Sequence, residues 1–423
     1  MSEKLVFILQ RLARKTWVRC SLFAVLAFAA VTLSTWAGPY IPTGIALNLG
    51  SDALESLLNI LASSMLTVSI FSASTMVASF AAVANSATPR ASQLLIEDST
   101  VQNTLAVFIG AFLYSVIALV GLHAHVYGDG GRLVLFGFTL LILLVVVIVL
   151  LRWIDYLSVL GRLGETINRL ERVTRKAIDQ RLEKPFLGGQ RQQPGERGAH
   201  AVRSDDTGFV QHVSMDLLQA QAAQGRLHLH VLPGAFVAPN TVIVTSDAPL
   251  DDAARQAILG AVLIGDSRTF DHDPRFGFVV MGEVAARAMS ASINDPGTAL
   301  GVMATAVRTL GYWAQQSRAQ ADAATDAAVT FDRVTAPALR HAGMVEDVFD
   351  PLARYAAGSV EVGVALQRAL HSVAGLHPGL AAASAKLSAY ALERAAQAQL
   401  CDTDMAALRT AAAPAPHSGW LAP

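Results

Sequence analysis

The string "FDHDP" places Asp271, His272 and Asp273 next to one another, and each side chain can exchange protons or bind a metal. Carboxylates beside an imidazole are typical of acid–base and metal sites. Adjacent residues in a strand or loop point in different directions, however, so three in a row do not converge on one ligand. We therefore predict no enzyme, with a hydrolase or metal site around Asp271–Asp273 as the alternative.

A pair of possible metal ligands, His228 and His230, alternates on one predicted strand. No third ligand stands at an informative spacing, and Cys20 and Cys401 are too far apart for a cysteine-based zinc site or a disulfide framework. The sequence contains no Walker A, GxSxG, HExxH or strand-linked GxGxxG motif. We predict no catalytic residue, no cofactor and no bound metal.

The string "SINDPGTA" contains a helix start signal. Asp295 can accept hydrogen bonds from the free amides of the first turn, and Pro296 suits the first helical position. The pattern predicts a helix over 296–316 with Asp295 mainly as its cap. A functional role of this motif is the alternative.

The segment "SSMLTVSIFSASTMVASFAAV", residues 63–83, has no charged residue but eight hydroxyl side chains. At 100° per residue, apolar side chains share one side, which suits lipid, and five hydroxyls share the other. Ser63 and Ser74 lie on the flank of the hydroxyl side, and Ser69 lies outside the group. The predicted hydroxyl face is Ser64, Thr67, Ser72, Thr75 and Ser79. Small hydroxyls suit close packing between membrane helices, and they also suit a water-filled path, so both interpretations stay open.

The composition indicates which elements carry these residues. The chain is 53% hydrophobic with a net charge of -1 and a mean hydropathy of +0.42, which excludes an ordinary soluble protein and a nucleic-acid binder. Only 13 of its 65 charged residues precede residue 152. We therefore predict a membrane half, in contact with the lipid bilayer, followed by a water-soluble half.

Apolar runs of about 20 residues, the length that crosses a bilayer, predict four spans at about 21–37, 56–83, 104–122 and 133–151. Lys and Arg cluster before the first span and after the fourth, while the 38–55 loop has none. By the positive-inside rule both termini are cytoplasmic. We predict a multi-pass protein of the inner (cytoplasmic) membrane.

The fold class that follows is a four-helix membrane domain and an α+β, mostly helical cytoplasmic domain. Its predicted parts are a helical stalk (152–187), a loop (188–206), a small β-rich, barrel-sandwich-like insert (207–250), a helical subdomain (251–400) and a disordered tail (401–423). In the insert, "VLPGAFVAPNTVIV" resembles the turn of biotinyl and lipoyl domains, with Gly234 and Asn240 at tight bends. The carrier role does not transfer, because no modifiable lysine stands at a matching hairpin.

The strings "SASTMVASFAAVANSATPR", "TGFVQHV", "RTFDHDPRFGF" and "ARAMSASINDPGTA" together resemble the bacterial integral membrane proteins of domain-of-unknown-function family 2254. The resemblance covers about residues 15–400, and "INDPxTA" is its most specific part. Ala291 replaces a proline usual in the family, and the "TPR" loop is shortened. The resemblance implies a topology without an established biochemistry. The matching positions are Pro89, Arg90, Phe108, Phe112, Tyr114, Arg268, Thr269, Asp273, Phe276, Gly277, Ser290, Asn294, Asp295, Pro296 and Thr298.

Two functions remain open. In the first, the protein is an oligomeric channel or transporter-like protein whose second span lines a path and whose cytoplasmic domain assembles or gates it. In the second, it is a membrane-anchored regulatory or scaffold protein with a cytoplasmic sensing domain. A homo-oligomer is expected, nucleic acid is not, and the sequence identifies no soluble partner.

Overall fold

The computed structural model of the protein describes residues 16–37, 51–96, 98–222, 225–322 and 329–413. These residues form two compact units, one ending at Glu165 and the other beginning at Thr166. In its described part the first unit is helical throughout, whereas the second combines two small sheets with helices.

Among its described residues, the first unit contains three helices that are long and apolar enough to cross a membrane, at Ala53–Ser86, Ser99–His123 and Asp129–Val159. They contain the second, third and fourth predicted spans. The first predicted span lies in another helix, so the four-span arrangement stays a prediction. The described helices are α1 (Thr16–Ala37), α2 (Ser51–Ser86), α3 (Pro89–Ile96), α4 (Ser99–His123) and α5 (Asp129–Val159).

Helix α4 is the central helix of this unit, because it packs against α1, α2 and α5. Its N-cap is Asp98, whose carboxylate accepts hydrogen bonds from the backbone amides of Thr100 and Val101 at 2.7 and 3.4 Å. Within it, the buried Tyr114 hydroxyl donates to the Leu135 carbonyl at 3.1 Å and lies 3.0 Å from the Thr139 hydroxyl. A buried phenol with its hydrogen bonds satisfied therefore joins α4 to α5.

The predicted stalk is divided into two helices. Helix α5 extends to Val159, and α6 (Leu163–Glu183) begins after a turn in which Gly161 has a φ of +83°. In the sequence, apolar residues recur at alternating steps of three and four residues from Trp153 through Tyr156, Leu160, Leu163 and Ile167 to Leu170, and this heptad-like spacing crosses the break. Glycine reaches the left-handed conformation at little cost, so a helix ends there despite a continuing apolar pattern.

Two sheets form the β part of the second unit. The strand orders are β1-β8-β4-β6-β2 and β5-β3-β7. Strand β8 pairs in parallel with both β1 and β4, so the first sheet joins distant parts of the chain. The strands are β1 (Gly189–Arg191), β2 (His200–Arg203), β3 (Gly208–Val213), β4 (Leu227–Leu229), β5 (Phe236–Val237), β6 (Val242–Ser246), β7 (Val262–Gly265) and β8 (Phe331–Ala336).

This arrangement corrects three predicted boundaries. Strands β1 and β2 occupy part of the predicted 188–206 loop, and β7 and β8 interrupt the predicted helical subdomain. In place of the predicted barrel-sandwich-like insert, the chain forms two sheets that include strands from outside residues 207–250. The reason is that the buried strand β8 joins the five-stranded sheet only after the chain has folded back. Gly234 and Asn240 have φ values of +91° and +71°, as the turn prediction requires.

Most helices of the second unit lie within the predicted helical subdomain, 251–400. The predicted disordered tail differs, since 402–412 form a helix whose Met405 and Leu408 are buried, and residues 414–423 lie outside the described residues. After α6 the helices are α7 (Met215–Gln221), α8 (Asp252–Ala261), α9 (Pro274–Ala288), α10 (Pro296–Asp322), α11 (His341–Tyr355), α12 (Val360–Leu376), α13 (Pro378–Gln397) and α14 (Asp402–Ala412).

Candidate functional site

The structure divides the predicted hydroxyl face between two sides of α2. Ser72 is buried, with 2% of its surface exposed. Ser69, which the prediction left outside the face, is also buried, with 7% exposed. Ser64 and Thr67 are exposed instead. The half-buried members are Thr75 and Ser79. The division arises because large apolar side chains set the packed side of α2, namely Leu58, Leu61, Met65 and Val83.

Directly opposite the packed side, α2 presents a line of exposed polar side chains. At 100° per residue they fall within about 80° of the helix circumference, an arc that also holds the exposed Ile70, Val77 and Ala81. We call this line the outward polar face. Its members are Ser56, Asn59, Ser63, Thr67, Ser74 and Asn85.

The hydroxyls of this face donate within their own helix. Ser63, Thr67 and Ser74 each donate to the backbone carbonyl four residues earlier, at 2.9 Å. Such bonds satisfy the donor but leave the oxygen lone pairs facing outward. The carboxamides of Asn59 and Asn85 make no hydrogen bond to any residue that the structure describes.

A second cluster lies in the other unit, around Asp273. This buried carboxylate accepts hydrogen bonds from the backbone amides of Arg275 and Phe276 at the start of α9, and it pairs with Arg268 at 2.6 Å. Burial raises the pKa of Asp273, while Arg268 acts in the opposite direction. A side chain at Gly234 would collide with this ion pair, so the glycine is required both by its φ and by the close approach.

The structure gives the three ionisable residues of the "FDHDP" string different surroundings. Asp273 is occupied by its cap bonds and by Arg268, while Asp271 and His272 are only half-buried. The Arg181 side chain donates to the His272 carbonyl at 3.1 Å, and the His272 ring lies 5.1 Å from that of His212. Across the described ranges, no group of three His, Cys, Asp or Glu side chains is placed to hold a metal ion.

The two alternating histidines of β4 and its continuation make side-chain bonds within the sheet. His228 is buried, with one ring nitrogen 3.0 Å from the Thr335 hydroxyl and the other 3.0 Å from Asp247. His230 lies 2.9 Å from the Thr245 hydroxyl. These contacts connect neighbouring strands, and they give each imidazole a structural partner.

The "INDP" motif forms the start of α10. The Thr298 amide donates to Asp295 Oδ1 at 3.0 Å, and the Thr298 hydroxyl donates to Oδ2 at 2.6 Å. The Thr298 hydroxyl bond, followed by backbone bonds, lowers the pKa of Asp295. Asn294 has a φ of +47°, and Pro296 is the first residue of the helix. The geometry is that of a helix cap preceded by a left-handed turn.

The remaining family positions have simpler surroundings. Pro89 and Arg90 are exposed at the start of α3, where the Ala91 amide donates to the Thr88 hydroxyl at 3.1 Å. Thr269 is half-buried in the segment between Arg268 and Asp273. None of these positions adds a group to the outward polar face.

Two features of the structure were missed in the sequence. The outward polar face could have been predicted by placing Ser56, Asn59 and Asn85 on the same helical wheel as the hydroxyls. A second feature, the contact of Trp313, His341 and His377, joins three helices whose residues are distant in the chain. One sequence signal was present for this contact: His377 is followed by a proline, which indicates a helix start as Asp295-Pro296 does.

Comparison with protein-family models gives one family. The model described as "Predicted membrane protein (DUF2254)" matches residues 13–372, which is most of the chain. The comparisons with curated proteins and with solved structures give no match. The long apolar helices of the first unit agree with the family description. The chain therefore belongs to the DUF2254 family of predicted membrane proteins.

Proposed function

We propose that this membrane protein is an oligomeric channel or transporter-like protein in which the outward polar face of α2 meets other copies and lines a path. The second unit, in the cytoplasm, assembles or gates the oligomer. The observation that carries the proposal is the position of this face opposite the packed side of the helix.

Hydrocarbon is a poor environment for this face. A carboxamide or hydroxyl loses about 2–7 kcal/mol when it leaves water without gaining a hydrogen bond. Asn59 and Asn85 cannot satisfy their two donors and an acceptor by bonding back to a helix carbonyl as serine does. Since the other side of α2 already packs against α4, the polar face needs either water or another protein surface.

The length of the face supports a path across the bilayer. From Ser56 to Asn85 the helix rises about 44 Å, which exceeds the roughly 30 Å of hydrocarbon. No charged residue occurs between Glu55 and Arg90. A path lined in this way offers hydroxyl and carboxamide groups and no fixed charge, which favours polar solutes of low charge over strongly hydrated multivalent ions.

The second candidate is a membrane-anchored regulatory or scaffold protein. It is favoured by the hydroxyls of Ser63, Thr67 and Ser74, whose donors are satisfied within the helix and therefore tolerate a dry packing surface. In that case α2 would still contact another copy, but without water.

Cross-linking in native membranes tests the oligomer. In a background without Cys20 and Cys401, Ser63→Cys, Thr67→Cys and Ser74→Cys should include positions that form disulfide-linked dimers on mild oxidation. The buried Ser72→Cys is the matched control and should stay monomeric. Absence of dimers at all three outward positions, or dimers only at Phe71→Cys, whose exposed side chain lies about 40° outside the face, would contradict the proposal.

The topology is part of the same proposal. Four spans and cytoplasmic termini in the inner membrane follow from the apolar runs and the distribution of Lys and Arg. A reporter that fluoresces only in the cytoplasm, fused after Pro423, should be fluorescent. Activity of a reporter that matures only outside the cytoplasm would show an odd number of spans.

A further inference from the structure

Trp313, His341 and His377 form a compact aromatic cluster in the second unit. The indole of Trp313 on α10 lies 4.4 Å from the His341 ring and 4.8 Å from the His377 ring, measured between centroids. The two imidazoles are 6.0 Å apart and nearly perpendicular. Trp313 is buried, and both histidines are half-buried.

Each histidine stands at the beginning of a helix. His341 is the first residue of α11, and His377 precedes Pro378, the first residue of α13. The Gly379 amide donates to Nδ1 of His377 at 3.0 Å, so the imidazole caps α13. A cap of this kind requires an unprotonated Nδ1, because an imidazolium carries hydrogen on both nitrogens.

Several positively charged groups lie around the pair. Helix N-termini carry partial positive charge, and two of them meet the cluster. The neighbouring cations are Arg318 on α10, which donates to the Leu376 carbonyl, Arg340 before α11, and Arg275 on α9, which approaches Gly343. The carboxylates on α11 near it already pair with these arginines, Glu346 with Arg340 at 3.2 Å and Asp347 with Arg275 at 2.7 Å.

We propose that the Trp313–His341–His377 cluster is an acid-sensitive switch, in which protonation of His377 breaks its bond to Gly379 and loosens the start of α13 from α10 and α11. Burial lowers the pKa of His341, and the positive charge of a protonated His377 lowers it further. Protonation of one imidazole therefore disfavours protonation of the other. Two imidazolium ions cannot occupy the cluster unless the helices separate. The inference concerns the cytoplasmic unit alone and does not depend on a path through the membrane.

Hydrogen–deuterium exchange of the full chain in detergent micelles tests this switch at pH 7.5 and 5.5, after correction for the intrinsic exchange rate. Loss of a side-chain cap should raise exchange in the first turn of α13 by about fivefold. His377→Asn and His377→Ser retain an acceptor for the Gly379 amide but do not titrate. Both should therefore remain protected at pH 5.5.

The matched control is His371→Asn, since His371 is exposed on α12 and should not alter the acid response. Equal protection of the unmodified chain at both pH values would overturn the proposal. The same acid response in either His377 variant as in the unmodified chain would also overturn it, because the response would then come from another group.

Discussion

Ser63 and Ser72 lie on opposite sides of α2, Ser63 exposed and Ser72 buried. Nine residues at 100° each bring the second side chain half a turn further round the helix axis. Ser63 donates to the Asn59 carbonyl at 2.9 Å, whereas Ser72 Oγ is buried without a hydrogen-bond partner in the described part of the chain. The same residue type therefore serves packing on one side and remains available to water or another copy on the other.

Asp295→Ala should lower the free energy of unfolding by about 0.5–2 kcal/mol, because α10 loses its cap. Asp295→Asn should cost much less, since the carboxamide oxygen still accepts from the Thr298 amide. Chemical unfolding of the purified chain measures both. A folded, equally stable Asp295→Ala variant would contradict the cap and favour a functional role for "INDP".

The same cap predicts a pH dependence. Hydrogen bonds to the carboxylate lower the pKa of Asp295 in the folded state. The stabilisation is therefore present above the ordinary pKa of an aspartate, about 4, and is lost as the pH falls through the lowered value. Asp295→Asn should remove this component of acid destabilisation. An unchanged difference between the two proteins from pH 6 to pH 3 would contradict it.

Asp273→Ala should destabilise the second unit by about 3–5 kcal/mol, because it leaves the Arg268 and Arg181 charges without their buried carboxylate. Asp350→Ala is the matched control. It breaks the exposed pair with Arg354 and should cost at most about 1 kcal/mol. Thermal unfolding of both variants makes the comparison, and equal losses would contradict the buried role of Asp273.

Gly234→Ala should cost more than about 1 kcal/mol, since a β-carbon there meets the Arg268–Asp273 pair and the backbone has a φ of +91°. Gly311→Ala on α10 is the control. A β-carbon at Gly311 meets open space, and alanine should stabilise the helix by up to about 1 kcal/mol. If unfolding showed the two substitutions to be equivalent, the close approach at Gly234 would be refuted.

The sequence was sufficient for features that depend on local chemistry. The start of α10 at Asp295–Pro296 and the bends at Gly234 and Asn240 agree with the structure, because caps and left-handed turns are encoded by a few adjacent residues. The α5–α6 break at Gly161 was missed, since the apolar spacing from Trp153 to Leu170 continued across it.

Features that depend on contacts between residues distant in the chain were harder to predict from the sequence. Strand β8 enters the sheet from residues 331–336, and nothing in its own residues identifies β1 and β4 as its neighbours. Similarly, the hydroxyl pattern of α2 predicted that the apolar side faces lipid and that the hydroxyl side packs or lines a path, whereas the packed side includes large apolar residues and leaves Ser64 and Thr67 exposed. Leu61 and Met65 decide this through their contacts with α4, and a helical wheel does not contain that information.

The most direct test of the central claim is the reactivity of single cysteines in α2 with a small, membrane-impermeant thiol reagent, in a background without Cys20 and Cys401. A water-filled path along the outward polar face predicts reaction at Ser63→Cys, Thr67→Cys and Ser74→Cys. The buried Ser69→Cys and Ser72→Cys and the exposed Phe71→Cys, whose side chain lies about 40° outside the face, should stay unmodified. Silence at the three outward positions, or reaction strongest at Phe71→Cys, would contradict a polar path along this face.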